Sequence, residues 1–369
     1  MEKKTVSFYH LFVTALFVGI LLSFAIFYLI HATVGHERAT EERCLDGTQI
    51  TGESFVAHFE RAVYQNANSL ERIREHQFLL FQALSAPNVI VGSENFLFAI
   101  EDRENGYNFL EDYLGEVAFT EEECADILAA LQTRVASYDE RGAQYLLVVI
   151  PNAQTVHSEH MPAYMGALGD TRLSRLEEYL AQNGFDDFLN LTDALIANKD
   201  DQPLYDNTEN SLNSLGVYYA YLAVCEHLEN GIMSAVSPIP RDTLTFYQHL
   251  TTGKAIARQA GVSDIVSNLT ISLSNRTPQH YLTTHQTKSV TQTTLHEGDL
   301  PLGMEDTPTI LLQFSNRWER LQAEPFFSNS FKCVTYQTSL IDDRETFLLA
   351  HPSLVVQFIY ENELSRLLP

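Results

Sequence analysis

Three polar segments stand out because each borders an apolar run and holds residues that can do chemistry. Pro151 to Pro162 reads PNAQTVHSEHMP, Leu204 to Gly216 reads LYDNTENSLNSLG, and Phe314-Ser315-Asn316 closes the run TPTILLQF. A serine at the end of a buried strand suits a nucleophile for acyl transfer. Such a serine needs an imidazole to take its proton and a carboxylate to hold the imidazole. His157 is the imidazole nearest in this arrangement, since the Pro151 loop should border the same pocket in a doubly wound sheet. The plainer uses of these residues stand beside the chemical ones. A strand-end serine also caps the next helix, and loop carboxylates are usually solvated. His280 and His285 lie close in sequence, yet no carboxylate or thiol sits at ligand spacing, so neither a metal nor another cofactor is expected.

The elements that must position these segments alternate between helix and strand. Thr120 and Glu123 form a capping box, and Ile127, Leu128, Leu131, Val135 and Tyr138 share one helical face up to Gly142. Tyr145 to Ile150, YLLVVI, is a short apolar run of the kind found in buried parallel strands. An amphipathic helix over 171–183, a strand over 185–191 and a short helix over 192–198 follow. Another helix begins near Leu215. Further buried strands are expected at 309–314, 332–336 and 354–358. The pattern predicts a three-layer α/β sandwich of SGNH or flavodoxin-like type with a mostly parallel sheet. Residues 88–98 read as a small hairpin. Residues 238–308 are rich in Thr, Ser, Gln and His and partly alternate, which predicts a β-rich insertion of exposed antiparallel strands.

Composition narrows the partners. With 23 basic against 48 acidic residues in 369, the formal charge is −25. That surface repels phosphate backbones, so no nucleic-acid partner is expected. Leu11 to Ile30 is twenty residues without a charge, preceded by Lys3 and Lys4. This predicts a cytoplasmic tail over 1–10, a single membrane-spanning anchor over 11–31 and an extracytoplasmic remainder. A cleaved signal peptide is the rival reading, although no A-x-A-like site follows the run. A helical lead-in or stalk over 32–87 then joins the domain at 88–369. Cys44, Cys124, Cys225 and Cys333 match no metal motif. Free buried thiols and up to two disulfides both stay open.

The segments also resemble a known family. In 88–98, Gly92, Leu97 and Phe98 match the entry pattern V-x-x-G-K-D-G-W-L-F. In the second segment Pro151, Asn152, Thr155, Glu159 and Pro162 match P-N-K-x-T-x-Y-x-E-x-x-P, with Ala153 and His157 replacing Lys and Tyr. The third resembles D-T-H-W-N-x-x-G, keeping Asn213 and Gly216, with Glu209, Ser211 and Leu212 at the Asp, His and Trp places. Ser315 aligns with the serine of L-L-x-x-G-D-S-F, where Gln313, Phe314 and Asn316 replace Gly, Asp and Phe. Pro352 and Glu361 match the tail pattern P-x-x-V-V-x-x-x-x-E. These are patterns of the SGNH-hydrolase-like acetyltransferases, the alginate O-acetylation (AlgX/AlgJ) and DHHW-motif group.

The resemblance implies that Glu209, Ser211 and Ser315 stand at the catalytic positions; His157, on the loop expected to border the same pocket, is the candidate surrogate base. It implies substrate contacts from Asn152, Thr155, Asn213 and Asn316. It further implies an envelope polysaccharide as ligand and a membrane-bound O-acyltransferase as partner. A serine at the histidine place cannot act as a general base near neutral pH. The expectation is therefore a membrane-anchored, extracytoplasmic binding or scaffold component with impaired catalysis. The alternatives are an active O-acetyltransferase or esterase using Ser315, and a surface binding protein that shares only the fold.

Overall fold

The computed structural model describes residues 88–369 apart from 103–104, 201, 232–235, 237, 275–278, 296–307, 316, 342 and 369. The expected membrane anchor, the lead-in over 32–87, Cys44 and Asn316 lie outside the described residues. Among the described residues, no helix is long and apolar enough to cross a membrane.

The chain opens with an antiparallel hairpin, β1 (Val89–Val91) and β2 (Leu97–Ala99), as its sequence suggested. Two short strands, β3 (Glu101–Asp102) and β4 (Tyr107–Asn108), lead into α1 (Phe109–Tyr113). Next comes α2 (Glu121–Asp139), started by the expected capping box between Thr120 and Glu123. Gly142 then turns the chain with φ +78°, a left-handed conformation that suits glycine. β5 (Gln144–Ile150) and α3 (Ala153–Val156) follow. They give way to α4 (Arg172–Gln182), β6 (Phe188–Asn190), α5 (Thr192–Ile196) and α6 (Ser214–Gly231).

The remaining elements are β7 (Phe246–Thr252), α7 (Ala255–Ala260) and β8 (Ser267–Leu273). β9 (Tyr281–Gln286), β10 (Val290–Leu295), β11 (Thr309–Gln313) and α8 (Arg317–Phe327) come next. β12 (Cys333–Gln337), α9 (Arg344–Ala350) and β13 (Leu354–Tyr360) close the order of regular elements.

Seven strands form one sheet in the order β6-β5-β13-β11-β12-β10-β9. The first five run parallel, then β10 pairs antiparallel with β12 and β9 antiparallel with β10. The four apolar runs read as strands thus lie side by side in one sheet. Alternate residues of each strand face two separate cores, which is the three-layer arrangement. Leu146, Val148, Ile310, Leu312, Val356 and Phe358 pack with α6 and α8 on one side. Tyr145, Leu147, Val149, Leu311 and Val355 pack with α2, α4 and α9 on the other. Burial on both faces explains why these strands are apolar throughout rather than alternating.

The insertion differs from the exposed excursion that its polarity suggested. Its second hairpin, β9 and β10, continues the central sheet, and Thr291 and Thr293 are buried there. Threonine supplies β-branched bulk on a pleated surface while its hydroxyl finds a partner, as Thr293 does with Ser328. Its first hairpin, β7 and β8, pairs over seven residues of each strand and lies apart from that sheet. Cys124, Cys225 and Cys333 are free thiols, with burial pushing each above the ordinary thiol range.

Parallel strands deliver their carboxyl ends to one edge. β5 connects outward to β6 through α4, and β11 connects the opposite way to β12 through α8, with β13 between them. Open sheets bind ligands outside such a reversal point.

Candidate functional site

The loop from Leu204 to Asn213 is built as a closed polar knot against that edge. Tyr205 bridges to Leu212, Asp206 N donates to Ser211 O (3.2 Å), and Asn213 N donates to Leu204 O (2.9 Å). Asn213 caps α6, because its Oδ1 accepts from the N–H groups of Leu215 (3.0 Å) and Gly216 (3.1 Å). Its Nδ2 donates to Pro203 O at 2.7 Å. Its side chain therefore builds the loop rather than facing a substrate. A Cβ on Gly216 would collide with the Leu204 carbonyl and Leu212, so only glycine lets the helix start this close to the loop.

The insertion grips this knot from outside. Asn207 donates to Asn95 O (3.0 Å) and accepts from Leu269 N (2.6 Å), while Thr208 Oγ1 donates to Asn268 Oδ1 (2.7 Å). Lys254, just before α7, forms an ion pair with the buried Asp206 and lies 3.3 Å from Glu209 Oε2. Burial pulls the Lys254 ammonium down, but Asp206 and then Glu209 outweigh it and hold it above the ordinary lysine range. Glu209 thus meets a lysine, where the family pattern has an aspartate holding a histidine. Ser211 Oγ is buried without a hydrogen-bond partner.

On the sheet side, Asn152 joins the loop directly. Asn210 Nδ2 donates to Asn152 Oδ1 (3.2 Å), and Ala153 N donates to Asn210 Oδ1 (2.8 Å). Asn152 and Thr155 are both buried and face inward, because Asn152 N (2.8 Å) and Thr155 Oγ1 (3.3 Å) donate to Glu361 Oε2. They brace the site rather than present atoms to a ligand. Leu212 N reaches the Tyr360 hydroxyl at 3.5 Å.

Ser315 follows β11 and is half-buried. Phe314 before it is buried and stacks on Phe358, with ring centroids 4.8 Å apart and planes 4° apart. Phe314, Leu212, Tyr360 and Ile150 line one small apolar void. The residue before Ser315 and the residue after Ser211 therefore meet across that void. Its walls are almost wholly apolar.

His157 does not offer a free base. Its Nε2 accepts the Leu204 N–H (3.3 Å), which leaves the proton on Nδ1, 3.3 Å from Glu159 Oε1. Burial lowers its pKa to about 4, against a smaller upward pull from Glu159, so the ring is neutral at pH 7. His157, Glu159 and His160 hold ligand atoms within 4.8 Å of one another, a grouping the sequence reading missed. Each is already engaged in the protein. Lys199 pairs with Glu159 at 2.5 Å, His160 Nδ1 lies 2.9 Å from Ser93 Oγ, and the lone pair of His157 is taken by Leu204.

Lys254, Asp206 and Asn210 also went unseen as site residues. Only Glu361 among the site's unforeseen carboxylates carried a signal, its place in the tail pattern.

A three-layer α/β sandwich whose parallel strands deliver a polar loop and a strand-end serine to one edge is the architecture of SGNH-hydrolase-like proteins. Residues 101–313 match the family model described as ALGX: SGNH hydrolase-like domain, acetyltransferase AlgX, and the chain belongs to that family. No curated protein matches it in sequence. Among solved structures it is similar to Bacillus cereus PatB1 with a sulfonyl adduct, at 12% identity and TM-score 0.53, covering 75% of this chain and 96% of that one. It is also similar to the O-acetyltransferase domain of Pseudomonas putida AlgJ, at 14% identity and TM-score 0.46, covering 76% and 93% respectively.

Two predictions test the site's electrostatics. Lys254→Met strands Asp206, whose side chain is 1% exposed, and should cost about 3 kcal/mol of stability at pH 7 by urea unfolding. His157 has a folded pKa below its unfolded value. Its contribution is therefore present above pH 6.5 and lost as pH falls toward about 4. His157→Gln should remove that part of the acid loss, seen as a flatter melting-temperature profile between those two values.

Proposed function

We propose that this protein is a membrane-anchored, extracytoplasmic member of the family that has lost acyl-transfer catalysis. It acts instead as a binding or scaffold component in O-acetylation of a cell-envelope polysaccharide. The observation that carries the loss is the state of the Glu209–Ser211 loop. Lys254 pairs with Glu209, Ser211 stands at the histidine place, and the imidazole of the neighbouring loop, His157, has both ring nitrogens engaged. A serine hydroxyl without a base stays protonated near neutral pH and attacks an ester poorly.

Family membership supports the polysaccharide setting. The uncharged run Leu11 to Ile30 behind Lys3 and Lys4 supports the anchor, which would place the domain beside a membrane-bound O-acyltransferase partner. Protease added to intact cells should digest the domain, and full protection would reject this placement.

An active O-acetyltransferase or esterase using Ser315 is the competing reading. Ser315→Ala should leave any hydrolysis of an acetyl ester unchanged, and a fluorophosphonate should not label the parent. A rate loss on the order of 10³-fold with Ser315→Ala would establish the active reading instead. Retention of the protein by acetylated or bare envelope glycan in a pull-down is the positive test of the binding role.

A further inference from the structure

Next to the site lies a buried carboxyl pair that the proposed function does not use. Asp112 from α1 and Glu361, directly after β13, are both fully buried. Asp112 Oδ1 accepts from Arg172 N (2.9 Å), and its Oδ2 accepts from the Tyr107 hydroxyl. Glu361 Oε2 accepts from Asn152 N (2.8 Å) and Thr155 Oγ1 (3.3 Å). The Asp112 and Glu361 carboxyls lie close enough to act directly on each other, and both bear on the Tyr107 and Asn152 side of the cluster. Glu361 Oε1 is buried and receives no donor from the protein. Two facing carboxylates cannot hydrogen-bond to each other, since neither has a hydrogen to give.

We infer that Asp112 and Glu361 share one proton, carried on Glu361 Oε1 and donated to Asp112, and that this proton makes Glu361 the positioning residue for the Asn152–Asn210 side of the site. The assignment goes beyond the proposed function and holds whether the site binds or catalyses.

Three observations agree with it. A proton on Oε1 turns an unpartnered buried acceptor into a donor with a partner, removing a costly vacancy in the hydrogen bonding. It also balances the charge. Arg172 is the cation facing the pair, with its guanidinium 5.3 Å above the Tyr107 ring, so one arginine and one ionised carboxylate leave the cluster neutral. The other titratable groups facing it, Tyr107 and Tyr205, are held far above the ordinary phenol range by burial and then by Glu361. Finally, burial and then the Asp112 charge push Glu361 up to about 8.

The proton reaches the site through a short chain of bonds. Glu361 holds Asn152 N–H, Asn152 and Asn210 hold each other, and Asn210 sits between Glu209 and Ser211. Asn152 Nδ2 also donates to the Tyr107 hydroxyl at 2.8 Å, so both carboxyls bear on the same asparagine. Loss of the proton sets two carboxylates face to face and pushes Glu361 away from the Asn152 amide.

The sign follows from linkage. The folded pKa lies above the unfolded one, so the stabilisation is complete below about pH 4.5 and is lost as pH rises toward about 8. The experiment compares melting temperatures of the full-length parent, Glu361→Gln and Glu361→Ala from pH 5 to pH 8, with infrared spectra at pH 7. The parent should lose on the order of 5 °C across that range. Glu361→Gln, whose amide can still donate to Asp112, should match the parent at pH 5 and lack the fall. Glu361→Ala should be destabilised throughout. The parent should show a protonated-carboxyl band at pH 7 that Glu361→Gln lacks. Parallel pH profiles for the parent and Glu361→Gln, or no such band in the parent, would overturn the assignment. If Glu361→Ala does not fold, the other two proteins and the spectra still decide it.

Discussion

Pressing a polar loop against the edge of an apolar sheet obliges every amide and carbonyl in it to find a partner, and the rest of this site follows from that obligation. An unmatched buried polar group costs about 1–3 kcal/mol, so a loop with many such groups survives only when most are answered, and here Ser211 Oγ is left over. Here the answers come from three directions. Asn213 satisfies the start of α6, Asn207 and Thr208 are satisfied by the insertion, and Asn210 is satisfied by Asn152. The loop keeps its shape through backbone and asparagine bonds, the Thr208 hydroxyl and the Asp206–Lys254 pair. The residues at the catalytic places are bystanders to that shape. The side chains of Glu209 and Ser211 are not among the groups that hold Asn210 and Asn213.

The chemistry that remains is electrostatic. Lys254 neutralises Asp206 and faces Glu209 across the loop, so a carboxylate that would otherwise orient an imidazole is committed to an ammonium. On the sheet side, Phe314 stacks on Phe358 and helps line an apolar void.

Much of the fold could be read from the chain because its strongest signals are local. Runs such as YLLVVI and TILLQ are buried on both faces, and Thr120 with Glu123 marks a helix start within four residues. Asn213 was legible as a loop residue but not as the cap it is, since capping depends on where the helix begins. The long-range pairs left no trace. Lys254 meets Asp206 across 48 positions, and Glu361 meets Asn152 across 209. No periodicity marks a carboxylate that will be buried, because burial there is set by what other elements bring. The insertion shows the same limit: alternation announced strands, but only the edge of β12 determined that β10 would join the main sheet.

β13 comes last among the strands in chain order yet occupies the middle of the sheet, between β5 and β11. Those two neighbours never pair with each other, so until β13 arrives the sheet exists as two separate halves. Each half then presents an open, hydrophobic strand edge, the kind of surface that invites pairing with other chains. During synthesis the whole insertion and the organising loop emerge before the strand that unites them. Completion of the sheet is therefore a late, long-range event, in the slow and aggregation-exposed class of folding reactions. Glu361 follows β13 directly, so the loops after β5 gain their carboxyl partner only in that final step.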